Sequence, residues 1–279
     1  MAEESGVITV SIEELLGRNS ALHNIHAGKR CFILGNGPSL KQVDLSLLAD
    51  EFVFTVSLFN SIEGWQKAKP NFHVLYDPAL CNLSESTELR HRVVKIFHDL
   101  APFKTTFFCL VSGFPFIKYY RLDEFVNIQY IMNGSPIYSN APLQLDITKP
   151  ITGFWNVVQC AIVAAIYMGF KEIYLLGVDF TGILTFTNTV LGLPLEDHAY
   201  DNEDFRPRYE ETIKKYGMTE MLFRIYLMFL GCDKLNYACW NLLNIKLINC
   251  SAQTLITSIP RMDLMHVLKN ESKMLMPGS

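Results

Sequence analysis

The feature that most constrains the fold is a series of short, strongly apolar runs separated by helical patterns. The runs predicted as strands are residues 30–35, 51–58, 71–76, 105–111, 171–178 and 245–249. Helical periodicity lies at residues 84–100, 152–169, 209–230 and 233–243. Nearly continuous apolar strands are typical of a parallel sheet covered on both faces and joined by right-handed crossovers. The sequence therefore predicts an α/β fold: a mostly parallel sheet with helices on both faces.

Length and composition favour one large domain. The chain has 279 residues, of which 49% are hydrophobic and 19% charged, so it can bury a sizeable core. Neither a repeat nor a low-complexity linker marks a boundary, and residues 1–279 are interpreted as a single domain. Residues 181–204 have the composition of a loop, and loops this long are uncommon unless they serve as lids or binding segments. Residues 181–230, which combine this loop with the helical pattern that follows it, are therefore predicted to form a small helical lid or cap.

Charge and cysteine usage limit the partners and the compartment. The net charge of −4 gives no general attraction to nucleic acid, so no nucleic-acid partner is expected and an anionic ligand must be held locally. The seven cysteines are scattered, without a zinc or CxxC spacing. Such a set is typical of reduced thiols, and the acidic, polar start of the chain is unlike a secretory signal. We expect a cytoplasmic protein.

The sharpest motif follows the first predicted strand and consists of Gly35, Asn36, Gly37, Pro38 and Ser39. The glycines let the backbone turn tightly and approach a ligand. Pro38 suits a first helical position, and Ser39 can cap the helix or bind an anion. Amides at such a helix start favour phosphate. The motif lacks the third glycine of a dinucleotide fingerprint and the lysine of a P-loop, so it predicts a ligand-binding turn of another kind; an ordinary strand–helix turn is the alternative.

Two further motifs carry polar groups to predicted element ends. Asp179 follows the most apolar strand, where its carboxylate can contact a sugar hydroxyl or anchor a neighbouring loop. Thr152 and Gly153 are predicted to start the apolar helix, where free amides favour an anion. A plain N-cap explains Thr152 equally well.

Several stretches then occur in a characteristic order: Gly-Asn-Gly-Pro-Ser-Leu at 35–40, Tyr-Asp-Pro-Ala-Leu at 76–80, Ile-Thr-Gly at 151–153, and the run at 169–180 that ends in Gly-Val-Asp-Phe. Together they resemble the family 42 bacterial sialyltransferases and their 6-hydroxymethylpterin-pyrophosphokinase-like relatives, many of which are glycan-locus glycosyltransferases. The resemblance runs from about residue 26 to 268 and implies a Rossmann-like fold of the single-Rossmann glycosyltransferase type.

The resemblance also implies an activity. It is the transfer of an acidic, sialic acid-like sugar from a cytidine monophosphate (CMP)-activated donor to a hydroxyl of a glycan or lipid-linked oligosaccharide, in bacterial polysaccharide biosynthesis. No metal or other cofactor is expected. The implied nucleotide-binding residues are Gly35, Asn36, Gly37, Thr152, Gly153, Gly177 and Asp179. The implied general base is His198, whose ordinary pKa near 6.5 suits proton removal near neutral pH; a surface histidine in a polar loop is the alternative.

The sequence departs from the family pattern within the implied pocket. The asparagine that the family carries after its second strand falls on or near Ser57, although Asn60 lies close by. The tyrosine that follows Asp-Phe in the family is Thr181 here. Ser57 and Thr181 are therefore candidate donor-binding residues that differ from those of the family, and Asn60 is a further candidate. The stereochemical outcome, inverting or retaining, stays open.

Alternative activities follow from the same motifs. The sequence has no Asp-x-Asp pair, which agrees with a monophosphate donor stabilised by hydroxyls and helix-start amides. An ATP- and magnesium-dependent pterin-type pyrophosphokinase would need metal-binding carboxylates. The acidic residues that could supply them are Glu196, Asp197, Asp201, Glu203 and Asp204. They could equally form a solvated loop, in which Asp197 or Asp201 could orient the His198 ring. A non-catalytic nucleotide- or glycan-binding relative is the other alternative.

A helix that is apolar nearly all round is predicted at residues 221–230. Such a helix is usually buried in the core. The alternatives are a contact between protomers of a homo-oligomer and shallow peripheral docking on the inner membrane, where lipid-linked acceptors reside.

Overall fold

The computed structural model describes residues 10–194, 198–199, 206–269 and 274–275. The strands within them are β1 (Arg30–Leu34), β2 (Phe52–Val56), β3 (Phe72–Leu75), β4 (Thr106–Leu110), β5 (Asn127–Ile131), β6 (Asn133–Pro136), β7 (Ile151–Gly153), β8 (Glu172–Leu176), β9 (Lys246–Asn249), β10 (Arg261–Met262) and β11 (Met274–Leu275). In this described part, the main sheet has nine strands in the order β11-β10-β9-β8-β1-β2-β3-β4-β5, and β6 pairs with β7 separately. All neighbours in the main sheet are parallel except β10 and β11. The predicted α/β fold with a mostly parallel sheet is confirmed.

The described helices are α1 (Ile12–Gly17), α2 (Thr87–Leu100), α3 (Phe114–Tyr119), α4 (Val157–Tyr167), α5 (Gly182–Leu191), α6 (Arg206–Tyr237) and α7 (Leu264–Leu268). They cover the two faces of the sheet over separate hydrophobic clusters. Alternate residues of β1 divide between them: Ile33 faces the cluster that contains α4, whereas Phe32 faces the cluster that contains α2 and α3. This alternation is the reason why both faces of β1 are apolar.

The start of the apolar helix differs from the sequence prediction. Residues 151–153 form β7, in which the Ile151 N–H donates to the Met132 carbonyl at 2.9 Å. The helix begins at Val157 because the Asn156 side chain accepts a hydrogen bond from the Val158 N–H at 2.8 Å and so acts as the N-cap. The predicted helix start at Thr152 is therefore wrong, because the helix begins about one and a half helical turns later, at Val157.

Helix α4 is buried on nearly every side, which accounts for a sequence that is apolar except at Gln159. It packs on β1, β2 and β3, and α6 covers its outer face. Gln159, fully buried, donates from its side-chain amide to the Met228 carbonyl of α6. A Cβ at Gly231 would lie 2.3 Å from the Gln159 Nε2 atom, so these two helices approach as closely as a glycine allows. No described helix is both long and apolar enough to cross a membrane.

The predicted lid or cap contains more regular structure than expected. Residues 182–191, assigned to a loop from sequence, form α5, which packs along α6 with Phe186 against Tyr209 at a ring-centroid distance of 5.3 Å. Helix α6 is interrupted at Gly217, whose φ of 76° and ψ of 156° are not helical. The residues Glu196, Asp197, Asp201, Glu203 and Asp204 lie outside the described part of the chain. That α5 and α6 act as a lid stays a prediction.

The apolar segment at residues 221–230 is divided between the interior and the surface. Met221, Ile225 and Leu227 are buried, in agreement with a core role, whereas Phe223 and Tyr226 are exposed. Protomer and membrane contacts of this surface remain predictions.

Candidate functional site

The site lies where the strand order reverses. From β1 the chain builds outward through β2 to β5, and it then returns to the other side of β1 as β8. Loops that leave β1 and β8 in different directions open a crevice at their carboxyl ends, which is where open α/β sheets bind ligands. A cavity of about 270 Å³ occupies this crevice. Its lining includes Gly35, Asn36, Gly37, Ser57, Asp77, Asn156, Val157, Val158, Gly177, Asp179, Thr181, His198 and Met228.

The turns after β1 and β8 are bonded to each other through their backbones. The Gly35 N–H donates to the Leu176 carbonyl and the Gly37 N–H to the Gly177 carbonyl, both at 2.8 Å. A Cβ at Gly35 would lie 2.4 Å from the Gly177 oxygen, and one at Gly37 would lie 2.6 Å from the Asp179 carboxyl carbon. Gly177 itself has a φ of 61°, in the region that favours glycine. The glycines of both motifs are therefore required by this contact between the two turns.

Asp179 anchors the glycine turn. Its carboxylate, only 1% exposed, accepts a hydrogen bond from the Ser39 N–H at 2.7 Å and another from the Ser39 hydroxyl. Of the two roles left open by the sequence, this geometry shows loop anchoring, although Asp179 also lines the cavity. The expectation that Ser39 binds an anion is corrected: its N–H and hydroxyl are directed to Asp179, and neither Pro38 nor Ser39 is among the cavity-lining residues.

His198 is placed in the cavity by a contact with the glycine turn. The Ala199 N–H donates to the Asn36 carbonyl at 2.7 Å, and the Asn36 side chain donates to the Val56 carbonyl at 3.1 Å. Asn36 thus joins the end of β2 to the segment that carries His198. His198 lines the same cavity as the glycine turn. Its predicted orienting partners, Asp197 and Asp201, lie outside the described residues.

The helix start in the cavity belongs to Asn156, which the sequence analysis did not select. Asn156, Val157 and Val158 line the cavity at the first turn of α4, where helix amides and the positive end of the helix dipole favour an anion. Thr152 lies in β7 instead: its hydroxyl accepts from the Gln144 N–H at 2.9 Å, so its assignment to a helix-start anion site is corrected. An asparagine directly before a mostly apolar helical run is the N-cap signal that could have identified Asn156.

The positions that depart from the family pattern have different environments. Ser57, with a positive φ of 50°, lines the cavity at the end of β2. Thr181 lines it at the start of α5. Asn60 does not, because its side-chain amide donates to the Asp99 carboxylate at 2.8 Å and joins its loop to α2. The candidate role of Asn60 in donor binding is therefore corrected to a structural one.

A second cavity of about 590 Å³ adjoins the first, and both are bordered by Ser57, Asp77, Asn156 and Val157. Gly153, a predicted site residue, lines this second cavity rather than the first. Aromatic rings and one arginine dominate the rest of its wall: Tyr76, Tyr138, Phe154, Trp155 and Arg224. We refer to the two as the first and second compartments. Asp77 belongs to the Tyr-Asp-Pro-Ala-Leu stretch at residues 76–80, whereas no motif in the local sequence identified Arg224 as a site residue.

Tyr76 forms a neutral donor in the second compartment. Its hydroxyl donates to the Asn133 side-chain oxygen, and burial raises the pKa of the phenol well above its ordinary value. Within the described ranges, there is no group of three or more histidine, cysteine, aspartate or glutamate side chains placed to hold a metal ion. The chemistry available here is that of amides, hydroxyls, one histidine and isolated charges.

Comparison with known proteins gives a limited result. No family model matches the chain, and no curated protein matches it. Among solved structures, the chain is similar to the sialyltransferase CstII from Campylobacter jejuni in complex with a substrate analogue, CMP-3FNeuAc. The match has 17% sequence identity and a TM-score of 0.46, and it covers 90% of this chain and 92% of that chain.

Proposed function

We propose that this protein is a glycosyltransferase that transfers an acidic, sialic acid-like sugar from a CMP-activated donor to a hydroxyl of a glycan or lipid-linked oligosaccharide. The observation that carries the proposal is the convergence of three elements on one cavity: the glycine turn after β1, the first turn of α4 and His198. The glycine turn lines the cavity, the helix start favours an anion, and the histidine supplies a base. The sequence resemblance supplies the donor class.

The leaving phosphate is assigned to the first compartment. The positive end of the α4 dipole and the hydroxyls of Ser57 and Thr181 can stabilise the negative charge that develops as the bond between the sugar carbon and the phosphate oxygen breaks. No metal ion takes part in this proposed step. The sugar develops oxocarbenium character, which its ring oxygen stabilises.

His198 is assigned as the general base. As the acceptor oxygen forms its bond to the sugar carbon, the hydroxyl proton moves to a ring nitrogen of His198. Positioned proton transfer of this kind contributes about 10²–10⁴-fold to a rate. The hydrogen bond between the Ala199 N–H and the Asn36 carbonyl supports the assignment, because it holds the segment that carries His198 against the glycine turn that lines the first compartment.

Ligand-dependent thermal unfolding tests the donor class. A ligand that binds the folded state raises the melting temperature according to its concentration and affinity. We expect CMP to stabilise the protein equally with magnesium and with EDTA. Stabilisation by ATP only when magnesium is present would instead indicate a pterin-type pyrophosphokinase, and CMP binding without turnover of any CMP-sugar would indicate a non-catalytic relative.

Turnover of CMP-sugars by the His198→Ala variant tests the base. We expect the rate to fall about 10²–10⁴-fold while CMP affinity is retained. His91→Ala is the matched control, since His91 is exposed on α2 and lines neither compartment. A near-wild-type rate in His198→Ala would remove His198 from the mechanism.

A further inference from the structure

Arg224 in the second compartment is held in one position. Its Nε donates to a Glu220 carboxylate oxygen at 2.9 Å, and its guanidinium carbon lies 4.3 Å from the ring centroid of Tyr216 and 5.6 Å from that of Trp155. The side chain is still 34% exposed. A guanidinium has five N–H donors in a planar fork. Its Nε donates to Glu220 and the side chain also shares a hydrogen bond with Tyr216, so these two contacts leave further N–H donors of the fork for a ligand. This arrangement is pre-organised to bind a planar anion.

The charges in the two compartments define an orientation for a substrate. Asp77 borders both compartments, whereas Arg224 lines only the second. Arg224 therefore supplies the wall of the second compartment with a cation, whereas neither lysine nor arginine is among the described residues that line the first. Glu220 neutralises part of the charge of Arg224, so recognition depends on the geometry of the guanidinium fork more than on long-range attraction.

The wall beside Arg224 suits a sugar ring. Trp155 is 41% exposed and Tyr138 is 56% exposed, although both are large aromatic residues that line a cavity. The face of an aromatic ring carries partial negative charge and so attracts the weakly positive C–H groups of a pyranose. An anion-binding fork next to such rings matches a sugar that carries a carboxylate.

We propose that Arg224 recognises the carboxylate of the acidic sugar and is the residue that selects acidic over neutral donors. This inference rests on the proposed function, because it places the sugar of a CMP-activated donor in the second compartment. Trp155 and Tyr216 position the guanidinium, and Glu220 fixes its Nε edge.

Isothermal titration without acceptor tests the inference with three probes: CMP, CMP-sialic acid, and the same donor with its carboxylate converted to a carboxamide. A hydrogen-bonded contact to a charged group is worth about 1.5–3 kcal/mol, which corresponds to a roughly 10–150-fold preference of the wild-type protein for the carboxylate form. In Arg224→Gln we expect that preference to fall to about twofold or less by loss of the same contact. The Kd of CMP is expected to stay unchanged. Arg224→Lys, which keeps the charge without the fork, should restore only part of the preference.

Glu220→Gln separates recognition from a structural role, since it removes the ion pair on α6 and keeps the guanidinium. If Arg224 only stabilised α6, Arg224→Gln and Glu220→Gln would lower the melting temperature alike and leave the carboxylate preference intact, and this result would overturn the inference. Absence of a carboxylate preference in the wild-type protein that binds CMP would also overturn it. Failure of the proposed function is recognised separately, because CMP itself would then not bind, or would bind without turnover of any CMP-sugar.

Discussion

The carboxylate of Asp179 accepts hydrogen bonds from both the backbone N–H and the hydroxyl of Ser39, 140 positions earlier in the chain. The two residues belong to the turns that leave β8 and β1, the neighbouring strands between which the strand order reverses. Because both groups are buried, the interaction fixes one turn relative to the other. The shape of the first compartment therefore depends on this contact.

Substitution of Asp179 by asparagine is expected to destabilise the protein and weaken CMP binding. The asparagine side chain presents one acceptor where the carboxylate presents two, and hydrogen bonds to charged groups contribute about 1.5–3 kcal/mol each. We expect the free energy of unfolding in urea to fall by about that amount, with a parallel rise in the Kd of CMP measured by titration. Ser39→Ala, which removes only the hydroxyl bond, should have a smaller effect on both quantities. An unchanged urea midpoint in Asp179→Asn would contradict the anchoring role.

Stability is expected to depend on pH through His73. Burial lowers the pKa of His73 to about 3, against an ordinary value near 6.5. The unfolded chain therefore binds a proton that the folded protein does not between these values, and stability falls as the pH drops below about 6.5. For one proton the slope is about 1.4 kcal/mol per pH unit. The His73 Nδ1 and the Thr55 hydroxyl lie within hydrogen-bond distance at 2.8 Å, which joins the ring on β3 to β2.

Urea denaturation at a series of pH values between 4 and 8 measures this effect. The non-titrating variant His73→Gln should be less stable than the wild type at pH 8, yet lose less stability on acidification. Since carboxylates contribute equally to both curves, the difference between the two slopes reports His73. Parallel curves would show that His73 is protonated in the folded protein at the same pH as in the unfolded chain.

Gly231→Ala is expected to disturb the contact between α4 and α6. The new Cβ would meet the buried Gln159 side chain, and overpacking of this kind usually costs about 1–3 kcal/mol. The double variant Gly231→Ala with Gln159→Ala removes the obstacle, so the two substitutions should be non-additive, with a favourable coupling of about 0.5–3 kcal/mol. Thermal and urea unfolding of the wild type, the two single variants and the double variant measure this coupling energy. Additive effects would show that the two residues do not interact.

The central strands were predictable because each is buried on both faces and therefore reads as a continuous apolar run. The edge strand β5 was not, since Asn127 and Gln129 interrupt its pattern at a solvent-facing side. The short strands β6, β7, β10 and β11 have two to four residues each, too few for periodicity to be detected. Helix α5 was missed because threonine, asparagine and glycine have low helix propensity, and its stability comes from packing on α6.

The site was predictable to the extent that its residues lie close together in sequence. The glycine turn and Asp179 were selected because they follow strands whose carboxyl ends share one edge of a parallel sheet, whereas Gly177 and Thr181 were selected through the family resemblance. The partner of Ser39 could not be predicted, since a local motif does not show which distant side chain reaches its amide. Arg224 was equally hidden, because its position in the second compartment depends on how α6 lies across the sheet.

The close approach of Gln159 and Gly231 has a consequence for how this protein can change over evolution. Met228, which borders the first compartment, accepts the Gln159 hydrogen bond, and Arg224 lies one turn earlier on the same helix in the second compartment. A slight rotation of that helix would displace both residues together. Substitutions at this interior crossing are therefore constrained twice, because any adjustment of the helix that changes the wall of the first compartment also changes the wall of the second.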